Sequence, residues 1–383
     1  MSQNRFFHIV PDDKFIDIAI SVFNDVGGDH QYFCIKNDCD SFTFIHSTIV
    51  QKKSRDEMIL LLQSSTYSVV FFHTLFASYY PLVLQVPADK TVVWLSWGAD
   101  LYYSFKQFKP LLPINLYKPD TQRLFFSNNS SPYTRLRKTV KNVVLFPRSI
   151  RLAREQHRRD LLQANAIHRV DYCSTVLKSE YESLSHCPFF RAKFFPFRYS
   201  QKENSSIQIS NQADYILIGN SADLSGNHFD VLRELHEKKI SNPLLIPLSY
   251  GNRREELISL VKQRCKQSDI FLTDFLNYSD YCAYISKCRA AIFGHLRQQA
   301  LGNIKLCLKS GIRVFLYKDS MVFKYFSKAG FIIYSIEEDL TPELIQTIQD
   351  ASEVQHNRML LEELFGYNHV IKALRAAIHE ISE

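Results

Sequence analysis

Five short segments carry side chains able to do chemistry, and each follows an apolar run. Trp97-Gly98-Ala99-Asp100 comes directly after Val92-Val93-Trp94-Leu95-Ser96. A ring, a flexible glycine and a carboxylate within four residues suit a sugar to stack on and a base beside it, or else a packed turn. His73 ends Phe71-Phe72-His73, where an imidazole is either a proton carrier or a hydrogen-bonded core residue. In Tyr215-Ile216-Leu217-Ile218-Gly219-Asn220-Ser221-Ala222-Asp223-Leu224-Ser225-Gly226-Asn227-His228, a small turn between a buried strand and a helix points backbone N–H groups and a helix dipole at an anion. Asn220 and Ser221 add donors there, and Ser225 or Asn227 caps the helix. Neither the P-loop spacing nor G-x-G-x-x-G is present, which speaks against an NTPase or a dinucleotide-binding dehydrogenase. Gly294-His295-Leu296-Arg297-Gln298-Gln299 offers a bidentate guanidinium for phosphate and two amides for hydroxyl or acetamido groups. Ile246-Pro247-Leu248-Ser249-Tyr250-Gly251 places a tyrosine that stacks on a base or closes a turn.

Residues at strand ends need a framework of parallel strands and covering helices to hold them. The 383 residues alternate strand and helix patterns throughout, the signature of parallel sheets covered on both faces. Strands are expected at Phe6–Val10, Tyr32–Ile35, Ser68–Phe72, Thr91–Leu95, Asp171–Ser174 and Ala192–Phe195. After the polar joint Tyr199–Gln212, they resume at Asp214–Ile218, Leu244–Leu248, Ile270–Leu272, Ala290–Phe293, Arg313–Leu316 and Ile332–Tyr334, with a helical tail over Asn357–Ser382. The expected fold class is α/β, with two Rossmann-like doubly wound domains in series. Residues 1–200 form the first and 213–356 the second, with 357–383 a C-terminal helix, and ligands bind at the carboxyl ends of the strands.

Composition excludes several classes. The chain is 46% hydrophobic and 22% charged, which is globular. Its eight cysteines form no C-x-x-C pair, so reduced thiols are expected and a zinc site is not. The N-terminus lacks the basic and apolar regions of an export signal. Met58 to Ala88 contains no charged residue, but Gln63-Ser64-Ser65-Thr66 and Pro81 divide it, so it reads as a helix end, two strands and an intervening helix, not a membrane span. Asp38-Cys39-Asp40 has the letters of a metal-holding D-x-D element, but two acids one residue apart are too few ligands for a hard cation. No metal or cofactor is expected, and leaving-group charge would fall to helix N-termini and Arg297.

The net charge of +7 is concentrated. Between Ser131 and Val170 ten Arg or Lys (Arg135, Arg137, Lys138, Lys141, Arg148, Arg151, Arg154, Arg158, Arg159 and Arg169) face only Glu155 and Asp160. Leu136, Val140, Leu145, Phe146, Ile150 and Leu152 interleave with them. That pattern suits an anionic membrane surface or a solvated helix face. RNA is disfavoured because no aromatic platform accompanies the charge.

The ordered set WGAD, ILIGNSADLSGNH, IPLSYGN, FGHLRQQALG and LCLKSGIRVFL, with FFHTLF around His73 and FPFRY around Arg198, resembles the TDP-4-acetamido-4,6-dideoxygalactose (TDP-N-acetylfucosamine):lipid II transferases of enterobacterial common antigen synthesis. The resemblance runs from Phe71 to Leu316. It implies a GT-B fold whose two domains face a central cleft, with the acceptor on the N-terminal side. It also implies a TDP-sugar donor and a polyprenyl-diphosphate-linked saccharide acceptor at the cytoplasmic face of the inner membrane. On that basis Gly219, Asn220, Ser221, Asp223, His228, Tyr250, Arg297, Gln298 and Gln299 are expected to hold the donor, and Trp97 and Arg198 the acceptor. Asp100 is expected as the catalytic base, in an exposed turn, with His73 as an acceptor or phosphate contact; the alternatives are the reversed roles, or the leaving phosphate itself taking the proton in a front-face, retaining reaction. The other function class is a non-catalytic nucleotide-sugar or glycan-binding protein of the same fold.

Overall fold

The computed structural model describes residues 5–37, 40–64, 66–103, 108–126, 146–202, 207–210, 212–251 and 254–382. The chain divides into two compact units. Unit 1 comprises Met1–Pro113, Asn129–Lys202 and Phe365–Glu383; unit 2 comprises Ile114–Asn128 and Glu203–Leu364.

Unit 1 is built on a seven-stranded parallel sheet in the order β3-β2-β1-β4-β5-β6-β7. Its strands are β1 (Arg5–Val10), β2 (Asp29–Ile35), β3 (Val50–Lys53), β4 (Val69–His73), β5 (Thr91–Leu95), β6 (Tyr172–Ser174) and β7 (Lys193–Phe194). Buried on both faces, the central strands are continuously apolar; every residue of Val69–His73 is buried, as parallel sheets require. The sequence pattern misses β3. Val50-Gln51-Lys52-Lys53 lies at the sheet edge with only Val50 buried, and polar lysines on an edge strand hide its periodicity while protecting the edge.

Unit 2 carries a six-stranded sheet in the order β10-β9-β8-β11-β12-β13. Here β8 is Tyr215–Ile218, β9 Leu244–Pro247, β10 Ile270–Leu272, β11 Cys288–Phe293, β12 Arg313–Leu316 and β13 Tyr334–Ser335, and all pairs are parallel. Each sheet therefore reverses its strand order once, between β1 and β4 in unit 1 and between β8 and β11 in unit 2. At such a point the loops leaving two neighbouring strands turn to opposite faces and open a crevice for ligand.

Two segments depart from the expected division at residue 200. Residues 114–128, expected within the first domain, belong to unit 2, because buried side chains of that unit take up their backbone. Asp230 accepts from the amides of Asp120 (2.8 Å) and Thr121 (3.0 Å) and from the Thr121 hydroxyl (2.7 Å), capping the helix Pro119–Phe126. Asn227 accepts from the Lys118 amide (2.8 Å) and donates to the Leu116 carbonyl (3.2 Å). The expected single helix of residues 357–383 is two, Ala351–Phe365 and Tyr367–Glu380, separated at Gly366. The second is no appendage. Val370, Leu374, Ala377 and Ile378 form an i, i+4, i+7, i+8 stripe that lies in the core of unit 1 with Ile20 and Phe23 of the helix Ile16–Val26. Tyr367 and Arg375 donate to the Asp25 carboxylate and carbonyl, each at 2.8 Å.

No helix among the described residues is long and apolar enough to cross a membrane. The Met58–Ala88 stretch resolves into the end of the helix Arg55–Leu62, β4, and the short helix Tyr80–Val83, with β5 following.

Candidate active site

In unit 1 the turn after β5 is organised by Asp100. This carboxylate is only 4% exposed and accepts four hydrogen bonds. Oδ2 takes the Leu75 amide (3.0 Å) and the Trp94 indole (2.8 Å); Oδ1 takes the Ser96 hydroxyl (2.9 Å) and the Trp97 amide (3.1 Å). Gly98 makes the turn possible with φ +84°, a region costly for other residues. The exposed setting expected for Asp100 is thus corrected. The turn closes around its carboxylate because buried indole and amide N–H groups need an acceptor, and both oxygens are occupied.

His73 is fully buried and stands in a chain of rings. Its Nε2 is 3.0 Å from His8 Nδ1, whose Nε2 is 2.9 Å from His30 Nδ1, whose Nε2 is 3.2 Å from the Gly27 carbonyl. At the other end His73 Nδ1 is 3.2 Å from the Tyr199 hydroxyl, which also meets the Trp97 indole. The two ends assign every proton, because a carbonyl only accepts and an indole N–H only donates. His30, His8 and His73 are each neutral with the proton on Nε2, and Tyr199 donates to His73 while accepting from Trp97. Burial holds all three imidazoles below the usual histidine range, His30 to about 4 and His73 to about 3, with His8 lowered further by the neighbouring imidazoles of His30 and His73. The chain locks Trp97 and Tyr199 beside Phe15, whose ring centroid is 5.9 Å from Trp97 and 5.7 Å from Tyr199. Arg198, the other expected acceptor contact, lays its guanidinium 4.6 Å over the Phe365 ring.

In unit 2 the loops after β8 and β11 meet. Gly219 takes φ +65°, and Gly294 packs so tightly that a Cβ there would lie 2.4 Å from the Gly226 carbonyl oxygen. The His228 ring lies against Gly219 and Gly226, at the start of the helix His228–Glu237. His228 and His295 are each 1% exposed, and neither ring has a hydrogen-bond partner among the described residues. Burial lowers His228 to about 4; it lowers His295 as well, helped by the nearby charge of Arg297. Arg297 is itself 7% exposed and donates to the Gln298 carbonyl at 2.7 Å. Ser225 donates to Gln299 Oε1 (2.7 Å), and Gln299 Nε2 reaches the Ser221 hydroxyl (3.4 Å). Asp223 takes the Ser225 amide (3.0 Å), and Asn220 donates to the Tyr250 hydroxyl (3.0 Å). Eight of the nine residues expected to hold the donor lie on the loops after β8, β9 and β11, and His228 begins the helix His228–Glu237 that follows the β8 loop.

Chemically, unit 2 presents a guanidinium, two buried imidazoles, a helix N-terminus and small residues admitting close backbone approach, an arrangement able to take an anion. Reasoning from sequence did not single out His295, although its place between Gly294 and Arg297 was the signal. In unit 1 it missed His8, His30 and Tyr199, because a histidine inside an apolar strand such as Arg5–Val10 carries no mark of its partners. Among the described residues no group of three or more His, Cys, Asp or Glu is placed to hold a metal ion, and seven cysteines are free thiols. Asp38 and Cys39 lie outside the described residues.

Solved structures share this architecture over nearly the whole chain. A glycosyltransferase involved in Avilamycin A biosynthesis aligns at 9% identity with a TM-score of 0.54, covering 99% of this chain and 97% of that one. The apo form of the lipopolysaccharide outer core galactosyltransferase WaaB aligns at 10% and 0.53, covering 98% and 99%. A glycosyltransferase from Rickettsia africae aligns at 10% and 0.54, covering 100% of both chains. At such identities the likeness establishes the fold, which is GT-B. The family model described as 4-alpha-L-fucosyltransferase, glycosyl transferase group 56, matches residues 181–371, a span that includes the loops after β8, β9 and β11. The protein is a glycosyltransferase.

Proposed function

We propose that this glycosyltransferase moves an N-acetylfucosamine-like deoxyamino sugar from a TDP-sugar to a polyprenyl-diphosphate-linked saccharide, in the synthesis of a bacterial surface polysaccharide. The observation that carries the donor half is the meeting of the segments after β8 and β11, where His228 lies against Gly219, Gly294 packs on Gly226, and His295 and Arg297 are buried. A diphosphate supplies acceptor oxygens for the buried His228 and His295 rings, which have no hydrogen-bond partner among the described residues, and a counter-charge for the Arg297 guanidinium. These same groups hold the negative charge that grows on the leaving nucleotide as the sugar departs. Gln298 and Gln299 address sugar hydroxyl or acetamido groups, and Tyr250, 42% exposed and held by Asn220, addresses the base. A family described by fucosyl transfer supports a 6-deoxyhexose.

On the acceptor side, Trp97 supplies a ring for a saccharide, with Arg198 near its charged group. Asp100 and His73 position this wall instead of exchanging protons with substrate, since each of their polar atoms is already engaged. The basic helix Phe146–His168 rests on anionic lipid at the cytoplasmic face of the membrane, where a polyprenyl-linked acceptor resides.

Calorimetry with TDP tests the donor site. Arg297→Ala should weaken TDP binding by roughly 10- to 100-fold, the loss of about 1.5–3 kcal/mol for charge-assisted hydrogen bonds. Unchanged affinity would remove Arg297 from the diphosphate, and no TDP binding by the wild type would remove the donor assignment itself.

A further inference from the structure

Resting on the sugar-transfer reading above, we propose that Asp13 is the catalytic base. Its carboxylate takes the proton of the acceptor hydroxyl as that oxygen bonds to the anomeric carbon of the donor. The bond from that carbon to the diphosphate breaks in the same step, its electron pair leaving with the nucleotide, and Asp13 later returns the proton to water.

Asp13 stands where the strand order of unit 1 reverses. It follows β1, and the register Ile9 to Phe72 sets the residues after Val10 beside those after His73. Ligands bind outside the carboxyl ends of strands at such a point. Three acids leave β1, and two are spent on structure. Asp12 accepts from Lys36 Nζ (2.8 Å) and from the amides of Thr43, Phe44 and Ile45 (2.7, 3.0 and 3.3 Å). Asp17 takes the amides of His46 and Ser47 at 2.9 and 3.1 Å. Asp13 is different. Its Oδ1 takes the Phe15 amide at 3.1 Å, and its Oδ2 accepts no hydrogen bond among the described residues.

The surroundings suit a proton acceptor. Burial raises the Asp13 carboxyl above the usual carboxylate range, aided by the charge of Asp12 and opposed by the Phe15 amide and Lys14. The Tyr199 hydroxyl is near enough to feel its charge. Thus Asp12, Lys14 and Tyr199 are the titratable groups that face it. Two residues on, Phe15 joins Trp97 and Tyr199 in an aromatic wall on which a saccharide ring stacks. Across the reversal point Thr74 holds φ +81°, a costly conformation for a β-branched residue. Its buried hydroxyl has no hydrogen-bond partner among the described residues. Strain and an unpartnered hydroxyl just after β4, and a carboxylate with one open oxygen just after the neighbouring β1, mark this end of the two strands as a place that receives a polar group.

The test compares wild type with Asp13→Asn, Asp13→Glu and Asp12→Asn, using TDP-N-acetylfucosamine and a polyprenyl-diphosphate-linked saccharide. Asn keeps the acceptor for the Phe15 amide, so Asp13→Asn should fold and bind TDP as wild type does. Its kcat should fall at least 100-fold, within the usual span for loss of a general base. The acid limb of the wild-type pH profile should vanish with it, and Asp13→Glu should recover part of the rate. Asp12→Asn should lower Tm and leave kcat per folded molecule within a few-fold. If Asp13→Asn turns over within threefold of wild type, or retains the acid limb, Asp13 is not the base and the transferase reading stands. Should wild type transfer nothing from this donor, that reading falls and takes Asp13 with it.

Discussion

Asp100 and Asp13 are both carboxylates that follow strands of unit 1, yet their surroundings differ. Asp100 meets four donors, and a carboxylate so engaged has no lone pair turned toward substrate. Replacing it by Asn would present an NH2 group to two N–H donors inside a buried turn. Each donor left unmet costs about 1–3 kcal/mol, so Asp100→Asn should destabilise unit 1 by about 3 kcal/mol. In a unit of this size that is a fall in Tm of roughly 6–12 °C, measurable by calorimetry, with TDP binding by the remaining folded protein unaltered. A Tm within a degree or so of wild type would show that the four hydrogen bonds are dispensable.

At the scale of elements, the helix Phe146–His168 divides its length between two duties. Toward its C-terminus Gln163, Ala166 and Ile167 are buried, and Gln163 bonds the Lys109 carbonyl (2.8 Å) and the Tyr80 hydroxyl (3.2 Å). Toward its N-terminus Arg151, Arg154 and Arg158 are exposed on one side, with Leu152 (55%) and Leu161 (48%) beside them. Arg135, Arg137, Lys138 and Lys141 lie outside the described residues, as does the Arg148 side chain. If the exposed part rests on anionic lipid at about 1 kcal/mol per basic residue, changing Arg151, Arg154 and Arg158 to Gln should weaken binding to phosphatidylglycerol vesicles by about 100-fold. Vesicle flotation at low and high salt checks this. Salt-insensitive binding that survives the three changes would point to a purely apolar attachment.

For the molecule as a whole, five histidines held below the usual range shape the response to acid: the buried His8 and His73 and the half-buried His30 in unit 1, and the buried His228 and His295 in unit 2. Their folded-state values lie below the unfolded value near 6.5, so between the two the unfolded chain binds more protons and stability rises with pH. Their contribution is intact above about pH 6.5 and drains away as pH falls toward 4 and 3, where His30, His228 and His73 titrate. Each histidine contributes up to about 1.4 kcal/mol per pH unit within that window. Thermal unfolding should therefore lose Tm steadily from pH 6.5 downward. A Tm that stays level to pH 4 and then drops would assign acid sensitivity to carboxylates alone.

Periodicity was enough to determine the sheet-and-helix alternation, since parallel strands buried on both faces must be apolar runs and their crossover helices amphipathic. Only β3 escaped, its edge position removing the apolar signal. The position of the loops proposed to hold the donor was equally legible, because Gly219, His228, Gly294 and Arg297 are local neighbours of the strands that present them. What depended on residues distant in the chain was not. Asp230 claims the helix Pro119–Phe126 from 110 positions away, and the helix Tyr367–Glu380 returns to the core begun by the first strand. In sequence, Asp100 and Asp13 are each an acid a few residues past a strand, with an aromatic within three positions. Which of them is saturated and which retains an open oxygen depends on donors from Leu75, Trp94 and Phe15, and hydrogen-bond occupancy is a property of the folded environment that no local spacing encodes.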